Sequence, residues 1–478
     1  MLGRRKPVET LLSHAESQKL KPSLSWPHLV AMGVGAIVGV GIYALIGQAT
    51  RMAGPAVLLS FTIAGAVCVL SAFCYAELAT ALPASGSAYT YSYVALGERI
   101  AWVIGWSLVL EYTVSCAVVA IGWSGHLTEL FAQFGIALPH QFLSGPFAKV
   151  PGILNIPAVF VSVAVTCLLL LGAREGATVN LVLVLLKLAG LTLFIVLTIG
   201  FFRADHLQPF MPNGFGDPLG FFHAVPGQEL QGVMPAAALI FFAFYGFDAV
   251  ASSAEETRNP ARDLTIGILG SMALCTALYI GVAVCAIGAV DYHTFSATNV
   301  SAPLVKVLET LDLTWAANLL AIAVIVAVPT VIMVMMYGQT RVFFVMARDG
   351  LLPSPFTRVH ARRGVPTTVT IVIGGFIALV SGLFDLGELA SVANAGTLAA
   401  FISVAASVLV LRRSHPNLTR KFRTPAAGIV APLAIIGCAY LFISLQLTTL
   451  ISFAIWNAIG LVIYFAYSAG RSRLNRAA

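Results

Sequence analysis

Charge is what this chain has least of. Only 10% of its 478 residues are Asp, Glu, Lys or Arg, where a soluble domain carries about 25%. Mean hydropathy is +0.91, and 59% of residues are hydrophobic. Long polar stretches are also missing, beyond an N-terminal tail and loops of about 25–30 residues. These absences exclude a water-soluble globular protein and leave no room for a separate soluble output domain. Cysteine pairing is missing too. Cys68, Cys74, Cys116, Cys167, Cys275, Cys285 and Cys438 all lie in apolar segments without a CxxC spacing. They read as small hydrophobes, with neither a disulfide framework nor a metal site. The nine histidines form no HxxxH or HExxH. With no His/Asp/Ser constellation either, the residues point away from an enzyme and call for no cofactor or metal.

Apolar length is what the chain does have. Segments able to cross about 30 Å of hydrocarbon fall at 28–50, 56–82, 98–124, 153–172, 178–201, 233–254, 265–288, 314–343, 367–384, 387–411, 427–446 and 449–468. The expected fold is an all-α membrane protein with twelve transmembrane helices and both termini on one side. The basic residues say which side. With this alternation, 22 of the 27 Lys and Arg residues share the side of the termini, and four (Arg51, Lys149, Arg203 and Lys306) lie opposite. The termini, 1–27 and 469–478, are therefore expected to be cytoplasmic. The net charge of +7 orients the chain in the lipid bilayer and does not signal nucleic acid. No cleavable signal pattern stands before the first span, which is expected to act as its own insertion signal.

Four glycines, Gly33, Gly35, Gly39 and Gly41, crowd the middle of the first span, LVAMGVGAIVGVGIYALIG. Glycine is the poorest helix former after proline. Freed backbone groups in lipid cost several kcal/mol each (roughly) unless something satisfies them. A break there suggests a ligand or ion that supplies the missing partners. GxxxG packing through Gly35 and Gly39 is the alternative. A dinucleotide fingerprint is excluded, because no strand precedes the run. The sixth span breaks as well, at FFAFYGFDAV, with Gly246 among aromatics and Pro235 upstream. Spans 1 and 6 open two consecutive five-helix sets, as in transporters built from inverted repeats. Half-helix N-termini present free N–H groups and half-helix C-termini free carbonyls, which together suit a zwitterion and favour an α-amino acid over a sugar or a simple ion.

Ionisable residues within spans are functional candidates by default. Lys187 stands mid-span in LVLVLLKLAGLTLF, Glu111 in WSLVLEYTVSC, and Asp248 just past the Gly246 break. Lys187 is a candidate for taking up and releasing a proton. Asp248 suits the site or a helix-end cap. Glu77, near the end of span 2, reads more as an interfacial residue than a functional one. Glu255, Glu256 and Arg258 follow span 6 and suit either a solvated helix end or a cytoplasmic gate.

On these residues the chain resembles the amino acid–polyamine–organocation superfamily, and within it the bacterial members of the cationic amino acid transporter family. The resemblance rests on GVGAIVGVGIY, CYAELATALPASGSAYTYSYVALGE, WSLVLEY, FFAFYGFDAVASSAEETRNPARDLTIGI and MMYGQTRVFFVMARDGLLP. It implies a LeuT-like fold of two inverted repeats, 28–201 and 233–411, plus two further helices in 427–468, with helices 1 and 6 discontinuous. The carboxylate of an L-amino acid would meet backbone around Val40 and Gly41, with Gly39 also among the substrate-binding residues. Its ammonium would meet carbonyls around Ile37, Phe242, Ala243 and Tyr245. Glu111 and Met335 would line the side-chain pocket. Lys187 matches the family's fifth-span lysine, which stands where related transporters hold sodium, and Asp248 matches the sixth-span aspartate. The implied function is proton-coupled import of neutral or cationic L-amino acids across a bacterial cytoplasmic membrane, without sodium. Exchange of amino acids or amines is the rival within transporters. Nothing in the residues identifies an accessory membrane subunit. Some related sequences carry threonine where this chain has Val40, which makes the pocket here more apolar.

Overall fold

Helices form along the apolar runs, and glycine or proline marks some of their ends and breaks, although Pro432 and several glycines lie inside helices. The computed structural model describes residues 4–9, 24–171, 176–217, 230–295, 302–358 and 366–476. Most of the expected N-terminal tail lies outside these residues, as do Lys19, Lys21, Arg174, Arg362 and Arg363 from the charge distribution. In chain order the main helices are α1 (Trp26–Ile37), a π-helical turn (Gly41–Leu45), α2 (Ile46–Ala53), α3 (Val57–Ala81), α4 (Ser87–Ala95), α5 (Glu98–Gln133), α6 (Ile156–Leu171), α7 (Gly176–Thr198) and α8 (Val233–Phe244). They continue as α9 (Asp248–Ser252), α10 (Pro260–Ala289), α11 (Pro303–Thr310), α12 (Thr314–Ala327), α13 (Pro329–Arg348), α14 (Thr367–Leu383), α15 (Leu386–Ser414), α16 (Ala427–Ile443) and α17 (Leu447–Ile463). Among the described residues the only β feature is one bridge, Leu24 with Thr257.

Eight helical stretches of the described residues are long and apolar enough to cross a membrane, and one of them, Trp26–Ala81, contains the first two expected segments. Helices α6, α14 and α16 are also apolar but have only 16 or 17 residues. The structure departs from the expected segments in three ways. The stretch 314–343 is two helices, α12 and α13, which meet at Val328 and Pro329. Proline has no N–H to give to the preceding turn. Helix α5 runs nine residues past the expected end, to Gln133. Helices α4 and α11 were not expected, because nine and eight residues are too few to register as a crossing.

Helix α10 packs on α1 and α3, α8 on α2 and α3, α13 on α5, and α15 on α5 and α16. The interior belongs to the broken segments. The most apolar window of Val233–Ser252 is fully buried, against 17% for that of Leu447–Arg471. The outer faces of α7, α16 and α17 expose Leu185, Ile436, Ile455 and Val462. Such an apolar girdle suits hydrocarbon and would be unusual in water.

Ion pairs tie one end of the bundle together. Glu77 is buried at 0% exposure. Its carboxylate accepts from Arg412 Nε at 2.9 Å and Nη2 at 2.7 Å, and from the Thr424 N–H at 2.8 Å. Arg420 Nε lies 3.2 Å away. These contacts fasten the end of α15 and the loop that follows it to α3, a structural role consistent with the interfacial reading of Glu77. Removing one partner from a buried ion pair leaves the others uncompensated, at about 3–5 kcal/mol. Glu77→Ala is therefore expected to lower the Tm of the detergent-solubilised protein by several degrees. An unchanged Tm would show that the arginines find other partners.

A second cluster holds the N-terminal segment. Lys6 Nζ pairs with Asp349 Oδ1 at 2.6 Å, and Tyr89 donates to Asp349 Oδ2 at 3.0 Å. Burial and the Asp349 carboxylate push the Tyr89 phenol well up from its ordinary pKa, which keeps it a donor.

Candidate functional site

Both expected breaks are present, and they face each other. Helix α1 ends at Ile37, and Val38 turns to φ −74°, ψ 96°. The N–H groups of Gly39, Val40 and Gly41 make no hydrogen bond to the turn before them, and the chain resumes as the π turn. Helix α8 ends at Phe244, Tyr245 is extended, and Gly246 takes φ +116° before α9 begins. That φ lies where side-chain-bearing residues are strained. The carbonyls of Phe242, Ala243 and Tyr245 accept nothing from the residues that follow. The Gly39 N–H is directed to the Tyr279 hydroxyl, while Val40 and Gly41 keep donors without a backbone partner, and Gly41 stands against Ala243 of the other segment.

Close approach of the two segments depends on Gly41. A Cβ at that position would lie 2.4 Å from Ala243 Cα and 2.7 Å from its Cβ. Two backbones meet there, and neither can swing aside as a side chain could.

A small cavity lies between the breaks. Ile37, Gly39, Val40 and Gly41 line one wall, and Phe242 and Tyr245 line another. Helix α5 contributes Ser115 and Val119, and α13 contributes Val331 and Met335. The lining is largely apolar, with polarity concentrated in the backbone of the breaks. Sequence reasoning missed Ser115, Val119 and Val331, which nothing local marks out. It also missed Tyr279, whose hydroxyl donates to the Ile37 carbonyl at 2.9 Å. A lone tyrosine in the apolar run CTALYIG was the available signal. Because a carbonyl has two lone pairs, Ile37 keeps one acceptor site.

The expected site residues are not all on the cavity wall. Ala243 contributes backbone behind Gly41. Glu111 is not a lining residue. It lies one helical turn from Ser115, which receives the Tyr245 hydroxyl and donates to the Glu111 carbonyl at 2.5 Å. Ser115 and Tyr245 therefore hold the wall position expected for Glu111. The Glu111 side chain is buried, and neither carboxyl oxygen makes a hydrogen bond. Thr397 beside it donates to the Ala393 carbonyl instead.

Lys187 and Asp248 do not pair with each other. Lys187 Nζ donates to the Gly35 carbonyl at 2.9 Å, and the Lys187 carbonyl accepts from Tyr43 at 3.3 Å. Helix α7 thereby touches the chain on both sides of the first break. Asp248 opens α9, where its Oδ2 accepts from the Tyr112 hydroxyl at 2.5 Å and its Oδ1 has no partner.

The residues after the second break form a network. Glu255 Oε1 accepts from the Ser85 N–H at 3.0 Å. Glu256 pairs with Arg341 at 3.0 Å and accepts from Tyr337. Arg258 takes part through its backbone, donating to the Leu24 carbonyl at 2.8 Å. Arg341 and Tyr337 went unread because they lie more than eighty residues along the chain.

Comparison with known proteins shows the family of the chain. The amino acid permease family model matches residues 24–466. The branched-chain amino acid permease BcaP of Bacillus subtilis (strain 168) is 40% identical over 477 residues, covering 99% of both chains. The methylthioribose transporter of the same organism is 38% identical over 476 residues, again covering 99% of each. Cationic amino acid transporter 2, vacuolar, of Arabidopsis thaliana is 38% identical over 417 residues, which are 87% of this chain and 64% of that one. With broken helices at its centre and these similarities along its length, the chain belongs to the amino acid permease family.

Proposed function

We propose that this protein imports L-amino acids across a bacterial cytoplasmic membrane as a proton-coupled symporter working by alternating access. One observation carries the reading: the N–H groups of Val40 and Gly41 bond to no backbone carbonyl before them, and Gly41 stands against Ala243 in a segment where the Phe242, Ala243 and Tyr245 carbonyls accept nothing from the residues that follow. The first set suits a carboxylate and the second an ammonium. The names of the relatives support amino acids as the class of solute. The apolar cavity wall favours a neutral, apolar side chain over a cationic one, as does similarity to a branched-chain permease.

In this reading the chain crosses the membrane twelve times, spans 1–5 and 6–10 are inverted repeats, and both termini are cytoplasmic. Lys187 and Asp248 are the groups linked to the proton. The Lys187 ammonium takes the place of a sodium ion beside the first break, and its bond to the Gly35 carbonyl holds one state of the bundle. Proton loss to the cytoplasm releases that bond. The Glu255, Glu256 and Arg258 region, fastened through Arg341 and Leu24, closes the cytoplasmic side. No other coupling ion or cofactor is needed.

Reconstitution in liposomes tests the proposal. Labelled L-leucine should accumulate unchanged when the lumen is alkaline. If uptake requires amino acid or amine inside and ignores the pH gradient, the protein is an exchanger. Labelled methylthioribose belongs in the same experiment, and exclusive uptake of it would remove amino acids as the substrate.

Met335 provides a check on the side-chain pocket. Its thioether lines the cavity and would lie 2.9 Å from a Cβ on Gly246. Met335→Ser removes that bulk, so longer side chains should be admitted. Thermal-shift profiles against the common L-amino acids should move toward larger ligands. Identical profiles would take Met335 out of the pocket.

A further inference from the structure

Helix α5 runs along the first break with Ser115, Val119 and Gly122 spaced four and three residues apart, which puts them on one helix face. The first two line the cavity. At the third the side chain is missing and Val40 fills the space. A Cβ on Gly122 would lie 2.3 Å from Val40 Cγ1, 2.7 Å from Cγ2 and 3.1 Å from Cβ. Both methyls of Val40 therefore sit in a notch that exists because residue 122 is glycine. Val40 is fully buried, and a β-branched side chain has few other rotamers. The turn bearing the notch is fastened by His126, whose Nδ1 lies 2.9 Å from the Gly122 carbonyl.

We infer that Gly122 is a specificity-determining position, which acts by setting how deeply Val40 seats and hence how much room the cavity leaves for a substrate side chain. Gly122 does not line the cavity; it positions a residue that does. A side chain at 122 drives the Val40 methyls toward the bound solute. The effect falls on large side chains first, because small ones do not reach that wall. The inference rests on the proposed amino acid site and adds a size limit to it.

The test compares uptake of L-alanine, L-leucine and L-phenylalanine by wild type, Gly122→Ala, Val40→Ala and the double variant in liposomes. Gly122→Ala should raise KM for leucine relative to alanine by about tenfold or more, as expected for a methylene-sized change in an apolar pocket. Val40→Ala should favour phenylalanine. The double variant should return toward the wild-type ratio, since alanine at 40 no longer collides with the new methyl. A structural defect alone would lower all three uptakes together without rescue. If Gly122→Ala does not fold, Val40→Ala and the double variant still report. Unchanged ratios in folded variants of an active transporter overturn the inference and leave the proposed function standing. A wild type that moves none of the three overturns the proposed function itself.

Discussion

Gly41→Ala is expected to weaken L-leucine binding by about a hundredfold or more. The new methyl would lie 2.4 Å from Ala243 Cα, so the two broken segments must separate. Separation lengthens the contacts a zwitterion makes with both segments at once. Hydrogen bonds to charged groups contribute about 1.5–3 kcal/mol each, so losing alignment of two is enough for that change. Calorimetric titration of purified protein measures it, and the Tm without ligand separates it from unfolding. Overpacking adds a stability cost of about 1–3 kcal/mol, which lowers Tm without removing the fold. If a well-folded Gly41→Ala protein binds leucine as tightly as wild type, close approach of the two backbones does not make the site.

Lys187→Met should uncouple transport from the pH gradient. For one proton per solute, each pH unit supports about tenfold accumulation, since a tenfold ratio corresponds to 1.36 kcal/mol. The variant is expected to equilibrate leucine without concentrating it. Methionine keeps the bulk but cannot donate to the Gly35 carbonyl, which now receives Nζ at 2.9 Å. Counterflow of leucine should persist, because the backbone groups of the breaks are unaltered. Accumulation that still follows an imposed gradient would exclude Lys187 as the coupling group.

The breaks were legible because they are local. Of the four glycines in nine residues, Gly33 and Gly35 stay within α1, and the break falls at Gly39 and Gly41; it and the one at Gly246 among aromatics interrupt apolar runs whose backbone has no water to turn to. Lys187 was legible for the same reason, as a charge with no place in an apolar run. Its acceptor, Gly35, lies 152 residues away, and no local pattern encodes that pairing. Glu111 was legible as a charge within a span, though it is not among the residues lining the cavity. The family resemblance implied the pocket wall for it, but the cavity is lined from helix α5 by Ser115 and Val119. The notch at Gly122 was invisible for a related reason: nothing in AIGWSG marks out the first of its two glycines until Val40 is seen against it. Clamps such as Glu77 with Arg412 and Arg420 join loops to distant helices and emerge only from the fold.

The central claim is that the two breaks together recognise a zwitterion, and it can be tested without mutation. Binding of L-leucine to the purified protein should be compared by titration calorimetry with that of leucine amide, which lacks the carboxylate, and 4-methylpentanoate, which lacks the ammonium. All three keep the same branched side chain. The account predicts that leucine binds and that each analogue is weaker by about a hundredfold or more, because one set of backbone groups is left unpaired. Either analogue binding as tightly as leucine would contradict it.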